Sequence, residues 1–107
     1  MNPAESLLLD GYMVLREQFG RLVTTNLDSV TPITVTIEDA IQLAEPAAVA
    51  QARGPEYVNV RALETDITTP ASVTTFTEVE TGKWHKVLRY DGTTYHGVYS
   101  WFCEAQR

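Results

Sequence analysis

Two histidines, a single cysteine and a few close carboxylates are the side chains of this sequence whose types suggest bond-making chemistry. His85 and His96 flank Asp91-Gly92. A two-residue turn there sets them diagonally across a β-hairpin on one face, within reach of each other. Two imidazoles could begin a zinc site, but a structural site takes four ligands and a catalytic one usually three. Glu78 or Glu80 would supply a carboxylate only if the preceding strand lay beside the hairpin. The pair is therefore read as surface histidines, with no metal. Cys103 sits four residues from the C-terminus with no helix N-terminus to lower its pKa, so it reads as an inert small hydrophobe. No serine occupies a nucleophile elbow, and neither GxxxxGK[ST] nor GxGxxG occurs. Glu38-Asp39 and Glu64/Asp66 are neighbours in loops, and Asp66 reads as a turn start. No catalytic residue and no cofactor is assigned, and the expectation is a non-enzyme.

What remains is surface for association. Tyr57, Asn59 and Arg61 share one strand face and mix Tyr with Arg, types enriched among interface anchors. Lys83, Lys86 and Arg89 form a cationic cluster on the hairpin, which is either a solvated strand face or a dock for an acidic neighbouring subunit. The net charge of −6 is unevenly spread. Residues 38–80 hold eight acidic and two basic side chains, whereas 83–107 hold four basic and two acidic. Without a basic, aromatic-interleaved stripe, the chain is a poor candidate for reading nucleic acid.

The elements that must position these groups centre on Lys83 to Phe102. With Asp91-Gly92 as the turn, Trp84 pairs with Tyr99, Lys86 with Gly97 and Leu88 with Tyr95. Period-two alternation then places Trp84, Leu88, Tyr90, Tyr95, Tyr99 and Trp101 on a core face. His85, Val87, Arg89, Thr94, His96, Val98 and Ser100 fall on the other, and Gly97 is a candidate bulge. Upstream, Leu8, Tyr12, Leu15, Phe19 and Leu22 recur at helical spacing, which predicts an amphipathic helix over about residues 3–22. Ile33–Ile37 alternates as a strand. Tyr57–Leu63 is a second, with Val58, Val60 and Ala62 inward, and Val73–Val79 a threonine-rich third. The alanines around Pro46 favour helix but Pro46 interrupts one running from Glu38, so about 44–55 reads as a mobile loop or a short, weakly packed helix. The last residues, from Cys103 onward, read as a fraying tail.

The sum is an α+β fold, a leading amphipathic helix and then a small, mainly antiparallel five-stranded β-barrel or sandwich over about 33–102. At 107 residues it is one domain, 1–107. No apolar run approaches the roughly 20 residues that span a membrane. Leu7-Leu8-Leu9 lacks the cationic lead of a signal peptide, and the lone cysteine suits a reducing compartment.

The helix AESLLLDGYMVLREQFGRLV, the strand ITVTI, the segment YVNVRALETDI and the late KVLRYDGTTYHGV follow one another in an order that resembles the head–tail joining (head-completion) proteins of long-tailed bacteriophages. The resemblance covers most of the chain. It implies a non-enzymatic virion subunit, assembled in the host cytoplasm, that forms a ring with copies of itself. Such a subunit meets portal, connector or tail proteins through loops, chiefly 44–55 and 64–72. From a different class, the alternative is a small barrel that binds a ligand or performs hydrolysis in an aromatic cavity lined by Trp84, Tyr95, Tyr99 and Trp101.

Overall fold

The computed structural model describes residues 3–40, 56–95 and 97–106. Helix α1 (Pro3–Phe19) precedes six strands, β1 (Arg21–Thr25), β2 (Ile33–Asp39), β3 (Glu56–Leu63), β4 (Thr75–Glu78), β5 (Trp84–Tyr95) and β6 (Val98–Ala105). All neighbours pair antiparallel, and the sheet closes on itself in the order β1-β2-β3-β6-β5-β4. The fold is thus a helix followed by an antiparallel barrel, with six strands rather than five. Closure leaves no edge strand, so β4, for all its threonines, is paired on both sides by β1 and β5. The segment expected to be mobile, 44–55, and His96 lie outside the described residues.

The additional strand is β1, which helical spacing had absorbed into the helix through Leu22. Gly20 makes the break. Its N–H closes the last helical turn on the Arg16 carbonyl at 2.9 Å. A Cβ at Gly20 would lie 2.3 Å from that carbonyl oxygen and 2.6 Å from Thr34 Cγ2. Only glycine fits where the chain leaves α1 against β2. Beyond it, Val23 is fully buried in the barrel.

The β5–β6 hairpin departs most from expectation. Tyr95 pairs with Val98, and Gly97, at φ 87°, takes the turn position. Asp91-Gly92 instead lies within β5 at one of three register shifts, with Gly92 at φ 78°. Lys86 therefore faces Glu104, and Thr93 faces Tyr99. The shift between Val87 and Arg89 makes Leu88 the extra residue, which exchanges the faces of β5. Trp84 and Leu88, expected in the core, are 40% and 45% exposed, while His85, expected at the surface, is 1% exposed. Cys103 and Ala105, expected in a fraying tail, are instead buried in β6.

Side chains fill the barrel. Trp101 is fully buried and meets the Phe76 ring at 5.0 Å, Tyr90 at 5.7 Å and Tyr99 at 6.2 Å between centroids. Its indole N–H donates to the Pro70 carbonyl at 2.9 Å, which ties the 3-10 turn Pro70–Ser72 over the core. Val23, Val35, Val58, Val60 and Ala62 complete the interior, with Ile67 and Val73 from the loop that leads into β4. The inward half of β3 is the one the alternation indicated.

The helix packs outside the barrel through a narrow line of contacts. Tyr12, 2% exposed, donates its hydroxyl hydrogen to the Arg61 carbonyl at 2.8 Å and receives the Thr36 hydroxyl at 3.4 Å. Arg16 pairs with Asp66 at 3.5 Å. Leu9 lies where a Cβ on Gly97 would be 3.4 Å from it. Of the apolar stripe read from the sequence, Tyr12 alone is buried. Leu8, Leu15 and Phe19 are 53%, 47% and 65% exposed. No helix among the described residues is long and apolar enough to cross a membrane.

Candidate functional site

Strand alternation aims Tyr57, Asn59 and Arg61 out of the barrel, and all three are half-buried. Tyr57 stacks on Phe102 of β6, with centroids 5.4 Å apart and planes 17° from parallel. From the other side, the Arg89 guanidinium lies 4.9 Å from the centre of the same Phe102 ring. Arg89 also bonds Asp91, which raises its pKa further above the usual arginine value. Tyr57, Phe102 and Arg89 thus form a continuous outer stack across β3, β6 and β5. Asn59 stands opposite Phe102 in the register.

The other residues singled out in the sequence are dispersed. Arg61 binds Glu38 at 2.7 Å, and its carbonyl anchors the helix. Lys83 binds Glu56 at 3.1 Å. Lys86 is exposed across from Glu104 and forms no ion pair among the described residues. The six residues therefore share a side of the barrel without converging on one point. Loop 64–72 is tied down at two points, since Ile67 belongs to the core and Asp66 holds the helix.

Sequence reasoning missed two features. The first is the outer face of α1, where Leu7, Leu8, Val14, Leu15 and Phe19 are between 47% and 72% exposed. Beside it lies a surface cleft of about 400 Å³ lined by Leu15, Phe19, Arg21, Thr36, Ile37 and Glu38. The signal was present in the stripe, but a stripe does not say which of its residues meet the barrel.

The second is a buried polar cluster. Glu78 is 4% exposed, and its Oε2 lies 2.8 Å from His85 Nε2. Its Oε1 accepts from Arg21 at 3.0 Å and from the Thr81 hydroxyl at 3.3 Å. Burial pushes the Glu78 pKa up, but the bonds from His85 and Arg21 outweigh it and hold the carboxyl below its usual value. His85 Nδ1 is buried without a partner. The faces exchanged by the Leu88 bulge explain why this pairing was invisible in sequence. The cluster offers a carboxylate and an imidazole in contact, but no nucleophile stands with them. Cys103 is separately buried, and burial pushes its thiol up to about 12. Among the described residues, no group of three or more His, Cys, Asp or Glu could hold a metal ion.

No protein-family model, no curated protein and no solved structure matches this chain.

Proposed function

We propose that the chain is a non-enzymatic structural subunit of a bacteriophage head–tail connector ring. In this reading it is built into the virion during assembly in the host cytoplasm and works through its outer surface. The observation that carries the reading is the pairing of a side-chain-filled barrel with a helix whose apolar face looks into solvent. Trp101 and its aromatic neighbours occupy the barrel centre, while Leu7 and Phe19 are 72% and 65% exposed. A contiguous apolar face of this kind marks association. The ordered resemblance of the helix, the ITVTI strand and the late hairpin to joining proteins supplies the kind of assembly. The negative charge adds to it by disfavouring a direct nucleic-acid role.

The ligand-binding alternative needs an aromatic wall around an internal space. Trp84 has turned outward and Trp101 is packed against Phe76, so those residues do not form that wall. The test is co-purification with the products of the neighbouring genes. Retention on a portal or connector complex supports the role in the virion. A chain that binds none of these proteins, yet carries a stoichiometric small molecule, overturns it.

A further inference from the structure

Helix α1 carries a seven-residue pattern that the barrel does not use. Leu7 and Leu8 recur as Val14 and Leu15, and Asp10 recurs as Glu17. At about 100° per residue, Leu9, Tyr12 and Arg16 share the side that meets the barrel. Leu7, Gly11, Val14 and Gln18 share the opposite side. Leu8 and Leu15 run along one border of that side, and Asp10 and Glu17 along the other. All eight are exposed. An apolar seam repeating every seven residues, with charge at its edge, is the pattern by which one helix lies along another. Gly11 has nothing within 4 Å of its Cβ direction, so a partner side chain can approach the helix backbone there.

Charge along the seam narrows the occupant. Asp10 and Glu17 are about 10 Å apart, two turns of helix, and neither has an ion pair among the described residues. The chain has little with which to neutralise them in another copy. Arg16, Arg21, Arg61, Lys83 and Arg89 are each engaged by a carboxylate. Lys86 alone is left among the described cations, and it faces Glu104 across the ladder. The same seam from a second copy would lay a second acidic border on the first.

We infer that the solvent face of α1 docks an amphipathic helix of a different protein. That helix carries apolar residues at heptad spacing, flanked by Lys or Arg that meet Asp10 and Glu17. The inference rests on the connector-subunit reading for the source of the partner, and it adds the chemistry by which that partner is recognised. The seam is then kept for the connector rather than for a neighbouring copy.

The experiment titrates the full chain into a labelled synthetic helix of about three heptads, with Leu along the seam and Lys beside it. Binding is read by fluorescence anisotropy. One control peptide replaces Lys with Glu, and another keeps the composition but shuffles the Leu positions. The Leu/Lys helix is expected to bind at least about tenfold tighter than either control. Val14→Glu is expected to lose that binding by a similar factor, as for an interface anchor. Circular dichroism checks its folding, and Leu7→Glu repeats the test at another exposed position. The double variant Asp10→Lys with Glu17→Lys is expected to reverse the preference toward the Leu/Glu helix. No binding of the Leu/Lys helix, equal binding of the shuffled peptide, or a preference that does not reverse overturns the docking. So does wild-type self-association, seen by light scattering, that Val14→Glu abolishes, because a second copy then covers the seam. If the docking fails while the chain still binds connector proteins, the connector reading stands. If the Leu/Lys helix binds as expected but no connector protein does, that reading falls and the docking remains.

Discussion

Replacing Glu78 with leucine tests the buried cluster by removing a charge without emptying much space. Three partners lose it. Arg21 has an exposed side chain and recovers its hydrogen bond from water, so its share is small. The Thr81 hydroxyl made a 3.3 Å contact and can turn to solvent. His85 cannot, because it is 1% exposed and its other ring nitrogen already lacks a partner. Stranding its Nε2 costs about 1–3 kcal/mol, and the whole substitution is expected to destabilise by about 2–3 kcal/mol. With a urea slope of about 1–2 kcal/mol per molar for a chain of this size, the unfolding midpoint falls by roughly 1–3 M. The double replacement Glu78→Leu with His85→Leu removes both polar groups and should recover most of that loss, since apolar pairs commonly equal or exceed the buried pairs they replace. The assay is equilibrium urea unfolding followed by tryptophan fluorescence, closed as a double-mutant cycle. A single Glu78→Leu within about 0.5 kcal/mol of wild type, or strictly additive losses in the double variant, would refute the cluster as an energetic unit.

The same carboxyl predicts an acid limb. Because the folded pKa of Glu78 lies below the usual 4.5, its contribution is complete above that pH and disappears as pH falls through the lower folded value. Glu78→Gln should flatten the dependence of the urea midpoint on pH below 4.5. Gly92→Val forces a β-branched residue to φ 78° in the β5 bulge and should cost more than about 1 kcal/mol in the same assay. Gly11→Ala meets nothing within 4 Å and should stabilise α1 by about 1 kcal/mol, read as a higher thermal midpoint. With its thiol pushed up to about 12 by burial, Cys103 should resist a thiol reagent in the native protein and react at once in denaturant.

Alternation made β3 legible residue by residue, because one buried face of a strand imposes period two and nothing interrupts it. The helix was legible as an element but its docking line was not. Leu8, Leu15 and Phe19 have the right spacing for the barrel, yet Leu9, Tyr12 and Arg16 make the contacts. The hairpin failed through a competition between two glycines. Asp91-Gly92 carries the stronger turn signal, but Gly97 also sits at positive φ, and placing the turn there lets β6 run to Ala105. Bulges then change the inward parity along β5, and alternation has no means of locating them. That parity decides whether His85 meets solvent or Glu78, so the polar cluster stayed hidden with it. The outer stack was half visible. Tyr57 and Arg89 were chosen for their types, but Phe102, which joins them, depends on the register of three strands.

Association through the outside of a filled barrel is the core of this account, and electron microscopy of the purified chain mixed with its connector components tests it most directly. The account predicts annular particles in which a fixed number of copies encircles the connector axis. Single barrels that never join the connector, with a small molecule held inside each, would contradict it.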